Sequence, residues 1–193
     1  MGRKSLAEIR RGEILAAFER CITRYGMDVS LELVADEAGM RRSIIRHYIG
    51  NRDVLVNQLI ERIAQGYLAQ IEDMLGPAAD ALNVETLLDT LFQAAVDYNA
   101  SDKIVVEVVL SAKERYPQSK ERLLVVYNTF VERLAKALEN LFPQAGPERC
   151  RQTAYGVVCL SQMNESLLWL GINPLYNQSA RESAWVLIRS LEK

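Results

Sequence analysis

Apolar residues recur along this chain with the period of α-helices almost from end to end. Ile14, Ala17, Phe18, Cys21, Ile22 and Tyr25 fall at offsets of 0, 3, 4, 7, 8 and 11, one face of a helix predicted from about Ser5 to Tyr25. Gly26 ends it as a residue free to take a left-handed conformation. Ser30 is placed to cap a short second helix whose inner side is Leu31, Val34, Ala35 and Ala38, and Gly39 breaks that helix. A third short helix covers about Arg41 to Tyr48. Gly50-Asn51 closes it, with Asn51 as cap of the next helix and Asp53 well placed for that helix's dipole.

The same period continues. Helices are predicted over Arg52–Leu75, stopping before Gly76-Pro77, over Val84–Asn99, and from Ser101 to the residues before Pro117. Pro117 opens a long helix to Phe142. Gly146-Pro147 opens a strongly apolar one through Leu170, closed by Gly171 and Asn173-Pro174. The last helix is expected to begin at Ser179, where Ser179 and Glu182 have capping-box spacing. The fold class is therefore all-α, with about nine helices. A three-helix N-terminal domain (1–52) of helix-turn-helix shape is followed by a helical bundle (53–193), for which the family resemblance given below implies ligand binding and dimerisation.

Charge sharpens the picture only slightly. Residues 1–52 hold ten of the 23 Lys and Arg but seven of the 25 Asp and Glu, a mildly basic head on an acidic body. Cys21, Cys150 and Cys159 form no CxxC and are expected as buried, reduced thiols. The opening MGRKSLAEIRR has no apolar core of a signal peptide, and no run approaches a membrane span of about 20 residues, so a cytoplasmic protein without membrane association is expected. With one histidine, no glycine-rich phosphate loop and no ExxH pair, neither catalytic residues, nor a metal site, nor a cofactor is expected.

The chemistry gathers on the third helix. At about 100° per residue, Arg42, Ser43, Arg46 and His47 share one arc, and Ile45 and Tyr48 lie opposite with Ile44 at the edge. Arginine pairs bidentately with guanine O6 and N7 in a major groove, and Arg42 and Arg46, four apart, reach neighbouring base pairs. Ser43 lets the helix approach closely, and Ile44 is within reach of a thymine methyl. His47, Tyr48 and Arg52 are the expected phosphate contacts, which set register without reading sequence. Arg41 and Arg42 sit where the helix dipole disfavours cations, a cost that a bound phosphate or guanine offsets.

The run V-A-D-E-A-G-M-R-R-S-I-I-R-H-Y-I-G-N-R-D-V-L, residues 34–55, resembles the signature of TetR-family transcriptional regulators. Val34-Ala35 stands at the family's Ile-Ala, Ala38-Gly39-Met40 at its turn, His47-Tyr48-Ile49 at its aromatic end and Arg52-Asp53 at its Lys-Glu. Ala16-Ala17, Phe18 and Tyr25-Gly26 fit its first helix. The resemblance implies base contacts at Arg42, Ser43 and Arg46 and phosphate contacts at His47, Tyr48 and Arg52. The family often has Ser where this chain has Arg41, Gly at Ser43, Thr at Ile44 and Tyr at Arg46, so the operator sequence is left open.

It further implies a homodimer on double-stranded, palindromic operator DNA, released by a small effector. The last two helices would pair with their mates, with Val157, Leu160, Leu167, Trp185 and Ile188 in the interface. Candidates for an apolar or aromatic effector pocket are Tyr67, Phe92, Tyr98, Tyr127, Phe130, Met163, Asn164 and Trp169, with Asn164 and Glu165 as polar handles. A helical small-molecule-binding or interaction protein without DNA binding is the alternative.

Overall fold

In a computed structural model the structure describes residues 5–76, 83–93 and 114–193, with the side chain of Trp169 outside the described set. Eight α-helices run through these residues: α1 Leu6–Tyr25, α2 Leu31–Glu37, α3 Arg42–Tyr48, α4 Arg52–Leu75, α5 Val84–Leu91, α6 Pro117–Leu141, α7 Pro147–Trp169 and α8 Leu175–Arg189, with a 3₁₀ turn over Ser190–Glu192. The helix expected between Ser101 and Pro117, and the stretch after Phe92 expected to extend α5, lie almost entirely outside the described residues.

Local chemistry sets most of the boundaries. Ser5 accepts from the Glu8 amide while the Glu8 carboxylate accepts from the Ser5 amide, a capping box that hydrophobic periodicity alone does not reveal. Ser30 accepts from Leu33 N at 3.3 Å, and Asn51 Oδ1 accepts from Val54 N at 2.9 Å, as expected. Gly26 ends α1 at φ 78°, ψ −179°, a conformation open to glycine and to little else.

The last helix departs from expectation. It starts at Leu175, four residues before Ser179, because Asn173 Oδ1 accepts from the Leu175 amide at 3.0 Å and Pro174 already holds helical φ. Ser179 is then an interior residue, and Glu182 accepts from Gln178 rather than closing a box.

The described residues cluster into two units. One comprises those up to Gly66 together with 114–124; the other comprises 67–76, 83–93 and Val125–Lys193. In the first unit, α1, α2 and α3 pack on one another around Ile14, Ala17, Phe18, Ile22, Val34, Ala35 and Ile45, with Leu55, Leu59 and Ile60 of α4 also buried. Tyr25, the last member of the α1 stripe, is exposed, since the chain turns away at Gly26. Arg20 and Arg24 both reach Glu37, tying α1 to α2, and Arg62 pairs with Glu19. Ser119 donates to Asn57 Oδ1 at 2.7 Å, joining the start of α6 to α4.

In the second unit, α8 packs against α7 and α5. Leu87, Leu88, Leu134, Leu138, Cys150, Ala154, Val157, Ala184 and Ile188 form its buried core. Arg181 clamps α8 to α5 through Glu85 at 2.5 Å and Asp89 at 2.7 Å. No described helix is long and apolar enough to cross a membrane.

Ile45 has no exposed surface. Ile45→Ala is expected to lower stability in urea titration by about 2–5 kcal/mol, and Ile45→Val by about 0.5–1.5 kcal/mol.

Candidate nucleic-acid interface

The turn between α2 and α3 is built by backbone. Gly39 takes φ 62°, and the Met40 amide returns to Ala35 O at 2.9 Å. Arg41 is extended at φ −75°, ψ 144°, and its carbonyl accepts from Ile44 N, which starts α3 without a side-chain cap. At the other end, Arg11 Nε of α1 donates to Tyr48 O at 3.2 Å, satisfying a carbonyl that the helix end leaves open. Ile45 and Ile49 are buried beneath the helix. A two-turn helix is thus pinned from below and braced at its C-terminus. The brace from Arg11 has no signal in local sequence, because its partner is a backbone atom 37 residues away.

This anchoring leaves the opposite arc to solvent. Arg41, Arg42, Ser43, Arg46 and His47 are exposed, Ile44 keeps 37% of its surface, and Tyr48 is half-buried with the His47 ring edge-on to it at 4.9 Å. Arg42, Ser43, Ile44, Arg46 and His47 therefore come together on one surface, as the helical wheel predicts.

The cations on this surface are not equivalent. Arg42 is ion-paired with Glu32 of α2. Arg41 and Arg46 have no ion pair with any described residue. Arg52 is set apart: its guanidinium donates to the Tyr116 hydroxyl, lies 3.8 Å from Asp28, and is only 18% exposed. It serves the interior of its own unit more than its surface. Behind α2, the hydrogen bond from Arg20 holds the Glu37 carboxyl below the usual range, with Arg24 adding to the effect. Burial, then Glu37, pushes the Cys21 thiol up, so Cys21 is an inert core group.

The residues expected around an effector are spread over several environments of the second unit. Phe92 and Phe130 are buried, and Tyr67 and Tyr127 half-buried. Asn164 is buried and donates to Asn177 Oδ1 at 2.7 Å, and Asn177 in turn donates to Phe92 O at 2.8 Å, a relay joining α7, α8 and the end of α5. Met163 departs from expectation: it is 60% exposed, on the outer face of α7. Tyr98 and the side chain of Trp169 lie outside the described residues. Glu165 is half-buried, and burial alone raises its carboxyl above the usual range.

The outer face of α7 is a stripe of Tyr155, Cys159, Met163 and Leu167, continued by Leu170 just past its end, and α8 adds exposed Leu175, Tyr176, Val186 and Leu187. Val157 and Ile188, expected at a dimer interface, instead have no exposed surface and belong to the protomer's own core. Leu160 and Trp185 are half-buried, the latter under the Arg189 guanidinium at 4.6 Å. Cys159 is exposed, unlike the other two thiols. Gly156 keeps the two helices close, since a Cβ there would sit 3.3 Å from Leu187 Cδ1. Among the described residues no group of three metal-binding side chains converges.

Compared with family models and with curated protein sequences, the chain gives no match. Solved structures do resemble it. A TetR transcription regulator from Haloarcula marismortui matches over 95% of this chain and 98% of its own, with 15% identity and a TM-score of 0.76. NalD of Pseudomonas aeruginosa, the secondary repressor of the MexAB-OprM multidrug efflux pump, matches over 95% and 96%, with 18% identity and a TM-score of 0.63. The multidrug binding protein EbrR, solved with proflavin, matches over 92% and 99%, with 20% identity and a TM-score of 0.61. At these identities the likeness is one of architecture, and on that ground the chain has the fold of TetR-family transcriptional regulators.

Proposed function

We propose that this protein is a sequence-specific DNA-binding transcriptional regulator of the TetR type, a ligand-released repressor that acts in the cytoplasm as a homodimer on a palindromic operator. The observation that carries this reading is α3. Arg42, Ser43, Ile44 and Arg46 stand exposed on one face of a helix whose other face is locked by Ile45. In this reading α1–α3 form the helix-turn-helix domain and α3 enters the major groove. Arg46, free of any described ion pair, reads a guanine directly. Arg42 exchanges Glu32 for a base, so Glu32 holds it ready in the free protein. His47, Tyr48 and Arg41 meet phosphates, whereas Arg52 supports the domain from within.

The exposed apolar stripe of α7 and α8 supports dimerisation. Two such pairs, face to face, bury side chains that a lone protomer leaves in water. A dimer sets two recognition helices roughly 34–36 Å apart, the spacing of successive major grooves. EbrR's proflavin and the efflux-pump connection of NalD support an apolar or aromatic effector. Release would be a population shift: an effector that binds better to a splayed dimer moves the reading heads off register, and α4, which contributes residues to both units, is the natural carrier.

Fluorescence anisotropy with DNA from upstream of the protein's own gene tests this. Specific binding should weaken steeply with salt. Arg46→Ala and Arg42→Ala should each cost about 1–3 kcal/mol at the operator; undiminished affinity in both variants contradicts the reading. In sedimentation the wild type should be a dimer and Met163→Asp should shift it toward monomer, because a charge would be placed in the apolar stripe.

A further inference from the structure

We propose that Glu32 of α2 is a further base-reading residue. Once Arg42 has left it for a guanine, the freed carboxylate accepts from the N4 amino group of a cytosine in a neighbouring base pair. This rests on the reading of α3 as the recognition helix and adds a specificity that α3 does not itself carry.

The first observation is place. Glu32 lies in the first turn of α2, and its carboxylate reaches the guanidinium of Arg42, the first residue of α3. Both side chains are exposed. The N-terminal residues of a recognition helix are the ones that meet base edges. A group in contact with the Arg42 guanidinium therefore stands within a side-chain movement of the edges that Arg42 reads.

The second observation is the want of another partner. Among the described residues Arg42 is the one cation paired with Glu32. The other arginines of the unit do not stand in for it: Arg20 and Arg24 are held by Glu37, and Arg52 by Tyr116 and Asp28. When Arg42 moves to a base, a bare carboxylate is left beside a polyanion. Phosphates repel it, and an ionised carboxylate has only acceptors to offer. In the major groove the amino donors are cytosine N4 and adenine N6. Adenine sets its N7 acceptor beside N6, which repels a carboxylate, whereas cytosine has an apolar C–H beside N4. Cytosine is therefore the base that Glu32 selects.

Magnitudes put the two events in order. An exposed ion pair is worth no more than about fivefold. A bidentate arginine–guanine contact is worth about five- to 150-fold. A guanine thus takes Arg42 from Glu32, and a base without paired acceptors does not. The carboxylate is released only where that guanine is present, so guanine and cytosine are read together rather than independently. Asp36, exposed one helical turn further along α2 and paired with no described cation, provides a control for negative charge alone.

Selection by the full-length protein from duplexes of random sequence, with the bound duplexes sequenced, tests the assignment. Wild type should enrich symmetric half-sites with a guanine and a cytosine in neighbouring base pairs. The cytosine should be favoured over each other base by about fivefold or more, and that preference should vanish in half-sites that lack the guanine. Glu32→Gln should lose the cytosine and keep the guanine. Arg42→Ala should lose the guanine and keep the cytosine, because its Glu32 carboxylate is free from the outset. Asp36→Asn should keep both.

A cytosine still favoured in Glu32→Gln, no cytosine beside the guanine in wild type, or loss of the cytosine in Asp36→Asn as well overturns the assignment. Should Glu32→Gln select no sequence, Arg42→Ala decides: a cytosine retained there upholds the assignment, and a cytosine lost overturns it. Symmetric half-sites without a Glu32-dependent cytosine sink this assignment alone. Enrichment of no sequence by wild type sinks the regulator reading and this assignment with it.

Discussion

Seven residues do not make a stable helix in water, because nucleation costs more than so few hydrogen bonds return. The exposed cationic face of α3 exists only because Ile45 is buried completely beneath the helix, with Ile49 beside it and Arg11 closing the Tyr48 carbonyl. Everything proposed for DNA depends on that anchoring. It fixes which arc of α3 faces out, spends one face of the helix on packing, and leaves the other free to carry cations. The α2–α3 turn adds the second constraint, since Gly39 at positive φ aims the start of α3 away from α2 while Ser30 and the Met40 amide keep α2 in place.

What the sequence makes legible follows from what local chemistry controls. Ser30, Asn51, Pro117 and Gly146-Pro147 mark real boundaries because each acts within its own turn of chain. The outward arc of α3 is readable because a short helix with one buried residue has one possible orientation. Ser179 misleads for the opposite reason. Its spacing to Glu182 is that of a cap, but Asn173 and Pro174 start the helix earlier, and a serine inside a helix makes the same sequence pattern.

Faces of α7 are harder to read. It is apolar on both its inner and outer sides, so periodicity cannot tell core from exposed stripe. Val157 goes inward and Met163 outward, although both fit an apolar face equally well. Long-range polar partners are invisible locally: nothing near Arg52 announces Tyr116, and nothing near Arg42 announces that Glu32 will meet it.

The central claim is that α3 reads guanines from the major groove. Methylation of guanine N7 before binding, followed by separation of bound from free DNA, tests it most directly. Interference should appear at a few guanines in each of two symmetric half-sites, and one guanine of each set should drop out when Arg46 is replaced by alanine. Interference at no guanine, or a pattern unchanged by that replacement, would contradict a reading helix at α3.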